Sequence, residues 1–259
     1  MFKRILKRVP VIRRVYPSII KKIFKSLNIE EINYEFFKLK LKGNINEPMD
    51  KEIFLFSEYE NSQINFLLQY INLSKFDFFI DVGANSGLYS MIIAKHHNNI
   101  QIKSFEPIKE TIKKFKENIK LNNNMNNIEI FEFGLSNNNS KLLMKSLKKN
   151  NYIQTGGFGV AKNSDYLNNL HTRYAEFKKG DDVINLFKKN LIVKIDTEGH
   201  EQEVIEGLIN TIKNNNILLQ IEIFDKNYNK LNNLLKNNNF KKIHKINSDG
   251  KTDYYYKNY

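Results

Sequence analysis

Phe78 to Gly87, reading FFIDVGANSG, is an apolar run that ends in an acid and passes straight into a turn of small residues. Such a strand and turn let backbone approach a bound nucleoside. Gly83 and Gly87 carry no Cβ, and Asp81 at the strand's carboxyl end can order the turn and engage an amino group. The spacing is not that of a dinucleotide-binding G-x-G-x-x-G, because Asn85 stands at its second position and its third glycine is missing. No Gly-Lys-Ser or Gly-Lys-Thr follows, which excludes a P-loop.

Outward from this turn, a helix is expected from Leu88 to about His96, then a strand over residues 100–105 that closes on Phe105-Glu106-Pro107. At that place a carboxylate accepts two hydrogen bonds from the cis hydroxyls of a ribose, so Glu106 is the second candidate cofactor residue. Ile108, Ile112, Phe115 and Ile119 share one helical face before a third strand at residues 128–133. Ser136, in Gly134-Leu135-Ser136, falls where an adenine ring would lie. A fourth strand, residues 191–195, runs into Asp196-Thr197-Glu198-Gly199-His200-Glu201, and a fifth, residues 217–224, carries Glu222 in an apolar run. In open α/β sheets ligands bind at the carboxyl ends of the strands, where Asp196 and Glu198 would face a transferred group.

The candidate cofactor residues are therefore Asp81, Gly83, Ala84, Asn85, Gly87, Glu106 and Ser136. The candidate catalytic residues are Asp196, Glu198 and His200, any of which can take a proton from an attacking hydroxyl. Each has a plainer reading too: Glu198 charging a helix start, His200 at the surface, Asp196 only positioning cofactor. Asp196, Glu198 and Glu222 are hard oxygen donors that suit Mg²⁺, but no His cluster or ligand-spaced loop accompanies them, and no metal is expected.

Alternating strands and amphipathic helices over residues 76–259 predict a mostly parallel, seven-stranded Rossmann-like sheet of the α/β class, with helices on both faces. Residues 136–190 break the rhythm and read as a substrate-side insertion with a strand near residues 141–145 and a Gly156-Gly157-Phe158-Gly159 loop that closes over the acceptor. Residues 31–75 predict a small accessory unit: strands at 34–41 and 52–56, then a helix opened by a Ser57–Glu60 capping box. A hairpin of residues 241–243 and 253–256 is expected to close the sheet.

Of the net charge of +13, residues 1–27 account for nine Lys and Arg and no acid, so the body is nearly balanced. A basic arm on a balanced body points away from nucleic acid. The arm, residues 1–30, repeats apolar residues at helical spacing, divided by Pro10 and Pro17. Two readings of it are open: a helix packed on the body or a second subunit, and a basic amphipathic helix on an anionic membrane surface. No run approaches the roughly 20 apolar residues of a membrane span, and no signal peptide is evident. These two points lead to the expectation of a cytoplasmic location; with no Cys present, disulfides, thiolate zinc sites and cysteine nucleophiles are excluded and a reducing compartment is permitted.

FIDVGANSGLYS, SFEP, VKIDTEGHE and LLQIEIF together resemble the FkbM family of S-adenosylmethionine-dependent methyltransferases over roughly residues 52–224. The resemblance implies S-adenosylmethionine as cofactor and methyl transfer to the oxygen of a carbohydrate, glycolipid or polyketide hydroxyl. It also implies that Asp81, Gly83, Asn85, Gly87 and Glu106 hold the cofactor, and that Asp196 and Glu198 line the transfer site. His200 stands where members of the family often carry Ala. The alternatives are a noncatalytic membrane-docked protein with a vestigial nucleoside site, and a nicotinamide-dependent oxidoreductase.

Overall fold

The structure is a computed structural model that describes residues 3, 7, 9–149, 152–162, 170–248 and 251–259. Phe2, Ile5 and Leu6 of the expected arm lie outside the described residues. Helix α1 spans Pro10–Ser26 and does not break at Pro17. A proline ring fits helical φ but removes an amide donor and crowds the carbonyl four residues back, a local cost this helix carries without interruption. Among the described residues no helix is long and apolar enough to cross a membrane.

Strands β1 (Glu31–Phe36) and β2 (Leu39–Asn44) form an antiparallel hairpin, followed by helices α2 (Pro48–Phe56) and α3 (Asn61–Leu73). Residues 52–56 are thus helical, not a strand. The apolar run is too short for its period to decide. Pro48 at the first helical turn and the Asp50 carboxylate settle it, the latter accepting from Asn44 N (2.8 Å) and Tyr34 Oη (2.7 Å) and paired with Lys114 (2.6 Å). The capping box does not form either. Ser57 is left-handed (φ 54°) and ends α2, while Glu60 accepts a hydrogen bond from Tyr89 Oη at 2.7 Å.

The main sheet then begins with β3 (Phe78–Val82), α4 (Leu88–His96), β4 (Gln101–Phe105), α5 (Lys109–Lys120) and β5 (Ile128–Phe131). The stretch after β5 is not the irregular insertion expected from its composition. It contains β6 (Gly134–Ser136), β7 (Ser140–Lys149), β8 (Tyr152–Ile153), β9 (Gly159–Val160) and β10 (Leu170–Lys179), which form a second sheet ordered β6-β10-β7-β8 with β9 on β7. In β10 Ala175 and Phe177 are buried on one side, a pattern too sparse to read as a strand from sequence. Thr155–Gly157 is a short 3₁₀ turn that leads through Phe158 into β9, so Gly156–Gly159 is not a free loop.

The chain returns through α6 (Gly180–Val183), β11 (Asn190–Ile195), α7 (Glu201–Gly207), α8 (Ile209–Asn214), β12 (Asn216–Ile223), α9 (Tyr228–Asn237), β13 (Lys241–Ser248) and β14 (Lys251–Lys257). Sheet order is β13-β14-β12-β11-β3-β4-β5, seven strands with β14 alone reversed. One face packs α3, α4 and α5 on Phe79, Ile102 and Ile192, while the other packs α7, α8 and α9 on Ile80, Val193 and Leu219. Leu67 of α3 is fully buried in the first cluster, so the accessory helix shares the core of the sheet. Leu67→Ala is expected to cost about 2–5 kcal/mol and to lower the urea midpoint of a single transition; an unshifted midpoint would show that α3 contributes nothing to that core.

Candidate active site

The carboxyl ends of β3, β4, β11 and β12 open into a cavity of about 550 Å³, within the range of ligand sites. Gly83, Asn85 and Glu106 line one wall, and Gly134, Leu135, Phe177 and His200 the next. Asp196, Glu198, Glu222 and Lys251 also line the cavity, as do Tyr59, Glu60, Asn61 and Gln63 and the insertion residues Gly156, Phe158 and Val160.

The turn after β3 is tight because Gly83 has φ 79°, and a Cβ there would lie 1.9 Å from the Asp196 carbonyl oxygen. Asp196 N donates to Val82 O at 3.0 Å, which brings both motifs to one point. Asn85, also left-handed, donates its backbone N–H to Glu106 Oε2 (2.9 Å), and Ile108 N donates to Oε1 (2.9 Å). Each Glu106 oxygen keeps a further lone pair for a ribose hydroxyl. Burial pushes the Glu106 carboxyl up to about 7 despite these two donors.

Four candidate cofactor residues do not line the cavity: Asp81, Ala84, Gly87 and Ser136. Asp81 is buried beneath the turn, with Oδ2 accepting from Ser90 Oγ (2.6 Å), which in turn meets Ser104 Oγ (2.7 Å). Its Oδ1 has no hydrogen-bond partner among the described residues. Ser136 Oγ meets His200 Nε2 at 3.0 Å. His200 is therefore held on the β6 side, edge-on to Phe177 (5.4 Å between centroids) and 3.6 Å from Glu203, with burial lowering its pKa.

The carboxylates are organised by two lysines to which the sequence reading assigned no role. Lys194 is buried, with Nζ 3.1 Å from Asp196 Oδ2 and 4.7 Å from the Tyr89 ring centroid. Lys251 Nζ lies 2.9 Å from Glu198 Oε1 and 2.8 Å from Glu222 Oε2. Burial pushes the Asp196 carboxyl up, but Lys194 and Lys251 more than reverse this and hold it below its ordinary value. Glu222, buried and facing Asp196, is pushed up to about 9 and stays protonated at neutral pH. Burial with Asp196 nearby also raises Glu198, which sits at φ 52° with its backbone against Gly159. Glu201 Oε1 holds the turn, accepting from Gly199 N (2.8 Å) and Thr197 Oγ1 (3.1 Å). Oxygens of Asp196, Glu198 and Glu222 lie within 4.8 Å of one another, and the Lys251 ammonium bridges two of these groups. A lysine within the apolar VKID strand was a visible signal for Lys194. Lys251, next to a hairpin turn, carried none.

A profile of the methyltransferase FkbM domain matches residues 81–243. The chain belongs to the FkbM methyltransferase family. This FkbM-family protein is an S-adenosylmethionine-dependent methyltransferase, which replaces the nicotinamide reading. Its fold is shared with human methyltransferase 10 domain containing protein, at TM-score 0.51 and 11% identity over 93% of this chain and 95% of that one. The FkbM methyltransferase of Methylobacillus flagellatus KT superposes at TM-score 0.48 and 15% identity over 71% of this chain, which spans only 45% of that chain. M. jannaschii TYW2, solved in complex with AdoMet, superposes at TM-score 0.45 and 13% identity over 88% of this chain and 84% of its own. No curated protein sequence matches significantly.

The raised Glu222 pKa gives this FkbM-family protein a testable pH response. Its folded value of about 9 exceeds the ordinary 4.5, so the native state keeps a proton that the unfolded chain has released. That stabilisation is complete below the unfolded value and is lost as pH rises toward 9. Glu222→Gln should reduce the fall in stability between neutral pH and 9, by up to about 1.4 kcal/mol per pH unit, one proton's worth. Urea melts across that range check it, and an equally steep fall in the variant refutes the assignment.

Proposed function

We propose that this methyltransferase acts on a hydroxyl of a sugar, glycan or glycolipid, with Asp196 as the base that takes the hydroxyl proton. The observation that carries the reading is geometric: Asp196, 3.1 Å from the buried Lys194 ammonium, lines the cavity with oxygens of Glu198 and Glu222 within 4.8 Å, and the two lysines hold its carboxyl below the ordinary value. Around them stand Glu60, Asn61, Gln63 and Glu198, an array of acceptors suited to hydroxyl donors, and among the described residues no Arg lines the cavity for a polyanion. Nucleic acid is accordingly not the acceptor in this reading.

Bound S-adenosylmethionine supplies a sulfonium-activated methyl carbon whose leaving thioether needs no proton. The chain's own task is then alignment and proton removal. Glu106 accepts from the ribose hydroxyls, and Gly83 and Asn85 let backbone meet the cofactor. Asp81 supports the turn from below, through Ser90 and Ser104, with Oδ1 left over for a polar group or water. Ala84 and Gly87 shape the turn, and Ser136 orients His200 beside the adenine side. Glu198 positions the acceptor, and Glu222 offers its proton to Asp196, keeping that carboxylate aligned. The reading includes a cytoplasmic location, peripheral to the inner face of a membrane, in keeping with the basic arm.

Calorimetry with S-adenosylmethionine should show binding that Glu106→Ala weakens at least about tenfold, the loss of two charge-assisted hydrogen bonds. Binding should strengthen from pH 6 to 8, because Glu106, titrating near 7 in the free protein, accepts both hydroxyls only when ionised. Equal binding by Glu106→Ala would overturn the assignment. Asp196→Asn should retain the cofactor yet lose, by at least about 100-fold, the one-methyl mass increase in a panel of glycans and glycolipids. Wild-type protein that binds cofactor and methylates none of the panel would refute the acceptor class.

A further inference from the structure

Helix α1 presents two apolar ridges, each spaced by four residues. Ile12, Tyr16, Ile20 and Phe24 are half-buried against the body, with Tyr16 edge-on to Phe56 (6.2 Å) and Phe24 tilted on Phe54 (5.9 Å). The neighbouring ridge of Val11, Val15, Ile19 and Ile23 is 45–69% exposed, although these are the residue types that most favour burial. Arg14, Lys21, Lys22 and Lys25 are exposed along its other flank. In cross-section the helix thus runs from docked ridge to bare apolar ridge to cationic face.

Charge decides what covers the bare ridge. Residues 1–27 carry nine cations and no acid, so a second copy laid on this face would set like charges together. Nucleic acid would satisfy the cations and leave the aliphatic ridge in water. A surface with anionic headgroups over acyl chains satisfies both at once. We propose that α1 lies in the interfacial plane of an anionic lipid bilayer, with Val11, Val15, Ile19 and Ile23 entering the acyl boundary and the lysines and arginines at the headgroups.

The arm also meets the catalytic cavity. Lys7, just before α1 in sequence, lines the cavity and pairs with Glu52 and Glu58 (3.2 Å to the latter), which line it too. Contact of α1 with a bilayer therefore brings the membrane to a segment that lines the cavity and favours a lipid-borne hydroxyl as acceptor, a consequence that rests on the hydroxyl-acceptor reading.

The test is flotation of the full-length chain with phosphatidylcholine vesicles containing about one third phosphatidylglycerol. Wild type should float at low salt, with binding lost in pure phosphatidylcholine and weakened by high salt. The V15E/I19E variant should bind the anionic vesicles at least about tenfold more weakly, with S-adenosylmethionine affinity and melting temperature unchanged to show that it is folded. Failure of wild type to float, or equal flotation of the variant, overturns the proposal. So does a wild-type dimer in solution that V15E/I19E splits into monomers. Flotation with no methylation of any glycolipid would sink the acceptor reading and leave the bilayer contact standing.

Discussion

A buried ammonium needs carboxylates, and the site is built around that need. Lys194 sits in the middle of the sheet, where removing a charge from water costs several kcal/mol unless it is paired. Parallel register sets it beside Asp81 on β3 and Gln220 on β12, and Gln220 donates to Asp253 at 2.9 Å. Asp196, Asp81, Glu60 and Asp253 together more than repay the burial and hold the lysine charged. Two lysines cannot neutralise six carboxyl groups, so protons remain on the least compensated, with Glu60 raised to about 7 and Glu222 to about 9. A carboxylate held ionised beside a more readily protonated one is the outcome of that imbalance.

Elements outside the parallel strands complete the chamber. The second sheet packs Met144, Ala175 and Phe177 around Ile108, setting Phe158 and Val160 over the cavity. Gly156 N donates to Glu47 Oε1 (3.3 Å), joining that sheet to the turn before α2 across the site. Gln63 of α3 donates to Asp253 at 3.0 Å, so the accessory helix also reaches the charged row. Much of the cavity lining is thus contributed by segments flanking or inserted into the strand–helix core.

The two kinds of strand differ in how far the sequence reveals them. Phe78–Val82, Asn190–Ile195 and Asn216–Ile223 lie between two layers of helices, so each reads as a continuous apolar run. The helix at Lys109–Lys120 buries one face and follows from its helical period, whereas Leu88–His96 is buried nearly all round and is marked by its place between two strands. Leu170–Lys179 buries little besides Ala175 and Phe177, and Pro48–Phe56 is decided by Asp50 pairing with Lys114, a residue 64 positions away. Local pattern holds neither fact.

The sequence by itself determined the sheet class, the turn at Asp81–Gly87 and the carboxylates at strand ends, because these depend on side-chain period and on residues a few positions apart. Only the tertiary structure decided what each acid does. Glu60 leaves its expected cap for Tyr89, Asp81 and Ser136 withdraw behind the cavity wall, and Lys251 arrives from the last hairpin to join Glu198 and Glu222. Charge state and reach depend on burial and on partners far along the chain, and those exist only once the strands are in register.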